Sequence, residues 1–244
     1  MKNNPARDVS HPLDFPIHTA LTTRQAHLAE TNGPARRYPA SMTPFAALED
    51  ESEESWMALH ALLRKGERAC LFTPQPPSPP SVLFEVEMAA TGEQMIGTPA
   101  TFEGSMPEIV RLGLEDVPAM MELAALTKPG PFGTRTHELG EFFGIKVEGR
   151  LVAMTGVRMK PAQWTEMTAV CVHPDVRGRG HAQALLAFVS RRIQARGEVP
   201  FLHVFSDNHS AIALYRRQGM TLRRRLHVTV VCRAGESVAG AMPH

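Results

Sequence analysis

The stretch VCVHPDVRGRGHAQALLAFVSRRI, residues 170–193, decides how this chain is read. An apolar run ends at His173-Pro174, a loop with two glycines and two arginines follows, and a helix opens from that loop. Ala182, Leu185, Leu186, Val189 and Ile193 recur three and four apart, so one face of the helix must be buried. The first turn of a helix has no internal acceptors for its N–H groups, and the helix dipole adds partial positive charge at the same place. A Gly-rich loop feeding such a turn is an anion cradle, with a phosphate or pyrophosphate as its natural occupant. Two other cradles do not fit. The order Arg177-Gly178-Arg179-Gly180-His181-Ala182 lacks the third glycine of the dinucleotide fingerprint, and no Gly-Lys-Ser/Thr of the P-loop kind follows. The plain alternative is an ordinary Gly-rich turn.

A second pattern lies downstream in PFLHVFSDNHSAIALYRRQGM, residues 200–220. Pro200 to Phe205 is a short apolar run of buried-strand type. Asp207, Asn208 and Ser210 are good N-cap residues. Ile212, Leu214 and Tyr215 give the next helix an apolar side, and Gly219 stands where a C-cap is expected. Together the two patterns resemble the acyl-CoA site of the GNAT superfamily of N-acyltransferases. The first resembles its pyrophosphate loop, the second the segment after its fifth strand. The stretches HPLDFPIHTALTTRQAHLAE, VCVHP and PFLHV are further similar to a bacterial branch of predicted acetyltransferases in that superfamily. That branch carries an N-terminal extension and a C-terminal domain of the glycine N-acyltransferase-like type.

The resemblance implies an α/β fold. A central mixed, mostly antiparallel sheet flanked by helices is expected over residues 106–235. A smaller, degenerate GNAT-like or other α/β domain without catalytic motif is expected over 1–105, and a flexible tail over 236–244. The pattern of runs predicts strands at 68–73, 82–88, 142–147, 151–159, 164–172, 200–205 and 222–231. Glu148-Gly149-Arg150 is a hairpin turn. PQPPSPP, residues 74–80, is a stiff exposed connector or a hairpin loop, and KPGPFGTRTHELG, residues 128–140, an irregular segment. The acidic run Glu49 to Glu54 reads as a solvated helix start.

By the resemblance, acetyl-CoA or another acyl-CoA is the co-substrate and a primary amine, small molecule or amino acid, the acceptor. Its binding set is Val170, Cys171 and Val172 on the strand, Arg177, Gly178, Arg179, Gly180, His181 and Ala182 in the loop, and Asn208 and Ala211 beyond. Glu166 is the expected general base. It shares a strand face with Thr168 and Val170, opposite Thr165, Met167 and Ala169, and a carboxyl among apolar neighbours has its pKa raised toward neutrality. An edge glutamate or a salt-bridge partner is the alternative for it. Tyr215, one of two tyrosines, is the expected general acid, because a phenol keeps its proton at pH 7. Phe132, Arg135 and Arg158 are candidates for the acceptor side, either arginine being able to hold a carboxylate. His173, His181, His203 and His209 have no metal-ligand spacing, and no metal is expected.

Composition narrows the classes. The net charge of +1, with 43% hydrophobic and 21% charged residues, gives no global field for nucleic acid. No apolar run approaches the ~18 residues of a membrane span. Three scattered cysteines do not make a disulfide framework or a zinc site, so a cytoplasmic setting is expected, with a homodimer left open. A non-catalytic acyl-CoA-binding module, or a protein or RNA acetyltransferase docking through Arg191-Arg192, Arg216-Arg217 and Arg223 to Arg225, are the competing functions.

Overall fold

The computed structural model describes residues 11–97, 102 and 104–234; the expected tail at 236–244 lies outside them. In chain order the elements are α1 (Pro16–Thr22), β1 (Glu30–Asn32), β2 (Ala35–Arg37), β3 (Ala46–Leu48), α2 (Glu53–Leu62), β4 (Arg68–Thr73) and β5 (Phe84–Ile96). They continue as β6 (Val110–Leu112), α3 (Val117–Thr127), β7 (Phe142–Val147), β8 (Arg150–Val157), β9 (Trp164–Val172), α4 (His181–Gln194), β10 (Val199–Phe205), α5 (His209–Arg217) and β11 (Thr221–Arg233). One eight-stranded sheet carries the fold in the order β4-β11-β5-β10-β9-β8-β7-β6, beside a three-stranded sheet β1-β2-β3. Every pairing of the large sheet is antiparallel except β9 with β10, as expected for a mixed, mostly antiparallel sheet.

Local chemistry accounts for the elements. Ser52 caps α2 by accepting from the Ser55 N–H, and Glu53 and Glu54 sit in its first turn, where the dipole favours them. The β7–β8 hairpin turns through Glu148 (φ 50°) and Gly149 (φ 79°), both left-handed, as a two-residue primed turn requires. Leu185, Leu186, Val189 and Ile193 of α4 are all 0–1% exposed and pack with Val152, Met167, Leu202 and Tyr215 into one core cluster against the sheet.

The sequence pattern divides the chain at residue 105. The sheet runs across that point: β4 and β5 flank β11, and β5 lies beside β10. The proline-rich segment after β4 is therefore a crossover past β11 and not a hairpin loop. A core cluster joins Leu13, Ile17, Tyr38, Phe45 and Phe72 to Trp164, Phe201, Leu226 and Val228. Among the described residues no helix is long and apolar enough to cross a membrane.

Gln25, 2% exposed, pins the N-terminal segment to the end of β8. Its Oε1 accepts from the Tyr38 hydroxyl at 2.8 Å and from the Lys160 N–H at 2.9 Å, and its Nε2 donates to the Arg158 carbonyl at 2.9 Å. Replacing it strands buried polar groups, each costing about 1–3 kcal/mol. Gln25→Ala is therefore expected to lower the urea midpoint by a destabilisation of about 2–4 kcal/mol. A change within about 0.5 kcal/mol, the range of a neutral surface substitution, would mean that the tether carries no weight.

Candidate active site

The loop between β9 and α4 forms the cradle. Gly178 and Gly180 both take left-handed backbone, at φ 79° and 80°. Gly180 is the N-cap of α4 and gives it no side-chain cap, so it leaves the first-turn N–H groups without the side-chain acceptor that a Ser or Asp cap would supply. The left-handed backbone favours glycine at 180, and a Cβ there would also crowd the Phe102 ring at 3.0 Å. Arg177 folds back, its Nε donating to the Val172 carbonyl at 3.3 Å.

A cavity of about 640 Å³ opens beside this loop. Its wall holds Val170, Cys171, Val172, Arg177, Gly178, Gly180, His181, Ala182, Asn208 and Ala211, with Thr127, Leu214 and Arg217. Arg179 is exposed and not on that wall. Its neighbours Gly178 and Gly180 turn the backbone inward and leave this side chain outside. Asn208 is spent locally, its Oδ1 accepting from the Ala211 N–H and capping α5.

Behind the cavity the sheet opens. Strands β9 and β10 pair only over Val199–Trp164, Pro200–Thr165 and Phe201–Glu166, and then part. Past Glu166, β9 continues along β8 alone, with Met154 opposite Cys171 and Gly156 opposite Thr168. The extra residue on β9 bulges there, and Ala169 sits at φ 52°, a conformation costly for a residue with a Cβ. One edge of β9 from Met167 to Val172 thus has no β10 partner.

A second cavity, about 220 Å³, fills the wedge on the other side. It meets the first at Val170, Asn208 and Ala211, which line both. Tyr215 is on its wall, 7% exposed. Burial, with the Cys171 sulfur nearby, pushes its phenol up to about 12. Burial likewise lifts the Cys171 thiol to about 11, which keeps it neutral.

Glu166 is fully buried, and its surroundings reverse the expectation of a raised carboxyl. Burial alone would raise it, but the Arg158 charge and hydrogen bonds, with His203 beside them, hold it down at about 2. Arg158 grips it with two parallel bonds, Nε to Oε2 and Nη2 to Oε1, both 2.8 Å. His203 Nδ1 lies 2.8 Å from Oε1. Arg223 donates to Gln94 Oε1, so the Gln94 amide nitrogen faces Leu13 O and His203 Nε2 at 2.9 and 3.0 Å. This network assigns a neutral His203 that donates from Nδ1 and accepts at Nε2. A carboxylate so occupied, with so low a pKa, is a poor proton acceptor. The salt-bridge alternative describes Glu166 better than the general-base role.

The acceptor-side candidates part company. Arg158 lines the second cavity, with its guanidinium 4.4 Å from the Phe45 ring centroid, but its charge is already matched by Glu166. Arg135 does not reach the cavity; it forms an exposed two-bond pair with Glu138. Phe132 turns toward Phe142, ring centroids 5.6 Å apart, in the α3–β7 cluster. The 133–136 turn is instead held by the N-terminal segment: Arg135 N–H donates to Ser41 O, and the Thr136 hydroxyl to Met42 O at 2.5 Å. Phe45, Cys70 and Phe72 from the first hundred residues, and His203, are wall residues that the sequence patterns did not single out for this role.

Comparison with known proteins adds the family. The profile described as Acetyltransferase (GNAT) family matches residues 117–220. A crystal structure from Novosphingobium aromaticivorans, assigned as a GNAT-family acetyltransferase, is 38% identical and superposes with a TM-score of 0.84, covering 92% of this chain and 100% of its own. A GCN5-related N-acetyltransferase from Kribbella flavida shares the fold at 14% identity and a TM-score of 0.59, covering 92% of this chain and 98% of its own. No curated protein is detectably similar to the chain.

Removing one partner of a buried ion pair costs about 3–5 kcal/mol, because the other charge is left uncompensated. Glu166→Gln is expected to destabilise by that amount, whereas Glu166→Gln with Arg158→Met should recover much of it. The pH dependence carries the same signature. The folded carboxyl lies below its unfolded value of 4.5, so its contribution is complete above that value and is lost as pH falls from 4.5 toward 2. In chemical denaturation from pH 7 to 3, wild type should weaken in that window and the double variant less. Equal acid sensitivity in both would remove the triad from this account.

Proposed function

Because the chain belongs to the GNAT family of acetyltransferases, we propose that it moves an acyl group from an acyl-CoA thioester to a primary amine. One observation carries the reading: the two cavities meet at the bulged, half-unpaired strand β9. The larger cavity suits the CoA arm, with its diphosphate on the N–H groups of the 178–182 loop. The smaller one suits the amine. Val170 stands at the junction, where unpartnered β9 backbone can hydrogen-bond the pantetheine amides and polarise the thioester carbonyl.

The chemistry then needs little from side chains. The amine nitrogen attacks the carbonyl carbon; the C–N bond forms, the C–S bond breaks, and its electron pair goes to sulfur. Tyr215 donates to that sulfur as it leaves. A phenol held near 12 keeps its proton across the working range, and the proton shed by nitrogen restores it through water. Glu166 is assigned a positioning role, fixing Arg158 and His203 at the root of the wedge. Cys171 is not assigned a covalent one, because a neutral buried thiol is a weak nucleophile.

Calorimetry with CoA and thiol release from acetyl-CoA with an amine panel test the proposal. Tyr215→Phe is expected to lower kcat by about a hundredfold or more while CoA binding is kept. Absence of binding heat with CoA would overturn the reading. A Tyr215→Phe enzyme of undiminished kcat would remove the acid role alone.

A further inference from the structure

We propose that the acceptor is a small primary amine with an apolar body and no second charge, such as an arylalkyl or branched alkyl amine, and not an amino acid or a polyamine. This deepens the acyl-transfer reading and rests on it. The second cavity measures about 220 Å³, the share of about seven waters at about 30 Å³ each, so one ring on a short arm fills it. Phe72, Met88, Val204, Phe205, Val228 and Val230 make its wall largely apolar.

The charges decide the rest. Two cationic side chains reach the wall, Arg158 and Lys128. Arg158 is matched by Glu166 through two bonds at 2.8 Å, so that pair brings no net charge to the cavity. Lys128 is solvent-exposed, at the rim. Among the described residues no carboxylate lines the cavity, and His203 is neutral by its hydrogen bonds. A second ammonium would therefore be buried with no counter-charge, and a carboxylate would find its only open cation at the rim. Both are costly.

The same emptiness serves the reacting nitrogen. Desolvation disfavours the charged form of an amine, so an ammonium entering this wedge loses its proton more readily than in water. That supplies the neutral nucleophile at a site whose one buried carboxylate is already bound. A second charge on the acceptor would carry the same desolvation cost without that return.

The test compares 2-phenylethylamine with phenylalanine, which differ only by the carboxylate, and isoamylamine with spermidine, by thiol release from acetyl-CoA on the full chain. The apolar amine of each pair should have a kcat/KM about a hundredfold higher or more. Val204→Phe should reduce turnover of 2-phenylethylamine far more than that of methylamine, with CoA binding by calorimetry confirming the fold. Lys128→Ala should leave the 2-phenylethylamine to phenylalanine ratio unchanged. Phenylalanine or spermidine acylated as fast as its apolar counterpart would overturn the inference while leaving acyl transfer standing. So would a preference for long acyl chains that Val204→Phe abolishes, since the acyl group would then occupy the wedge. Retained CoA binding with no turnover of any amine would overturn acyl transfer itself.

Discussion

Glu166 holds Arg158 and His203 at the point where β9 and β10 part, and the rest of the site depends on that clamp. The parallel pairing of the two strands covers three residue pairs and ends at Glu166 with Phe201. Twisted strands that part expose backbone on their facing edges, and such groups are costly unless something answers them. Here a triad of side chains closes the root of the wedge, with the carboxylate reaching across to the β8 end and to β10. Above it one edge of β9 has no strand partner. A buried ion pair is weak evidence for stability, and an apolar replacement of both partners often serves as well. Its role at this junction is geometric: two parallel bonds fix the angle of Arg158, and Arg158 in turn stacks on Phe45.

That stack links the clamp to the N-terminal half. Phe45 forms an isolated bridge to Cys70 on β4, and Gln25 holds the Arg158 carbonyl. The segment before residue 50 therefore reaches the site through two contacts on one arginine. It also grips the loop after α3 at Ser41 and Met42. Part of the second cavity's wall is built by a region that carries no catalytic pattern of its own.

Legibility in the sequence followed the range of the interactions. Strands β4 and β9 fall on the residues predicted for them, and the helix after the glycine loop opens where its stripe begins, because caps, turns and period are local signals. β1, β2, β3 and β6 are three residues each, too short for alternation to register. The extension of β5 to thirteen residues comes from β11, which pairs with it along nearly its whole length. The sequence marks both Glu166 and Arg158, as a base and as an anion holder. Their opposite charges meet across the β8–β9 connection, a register that neither residue announces alone. His203 shows the same limit: strand period puts it on a face, but only the fold puts Gln94 and Glu166 on its two nitrogens.

The clamp also constrains how a proton can leave the site. A carboxylate that Arg158 and His203 hold below its ordinary range is a far weaker base than an alkylamine. With both its oxygens engaged by Arg158 and His203, it does not compete as the acceptor of an ammonium proton. Under the proposed acyl transfer, two ways remain for making neutral amine: a water chain to bulk, or a cavity that disfavours the ammonium on entry. The wedge offers the second by its apolar wall and lack of a lining carboxylate. The charge fixed at the root of the wedge thus bears on the site twice: it closes the gap where β9 and β10 part, and, being matched by Arg158, it leaves the proposed amine without a counter-ion.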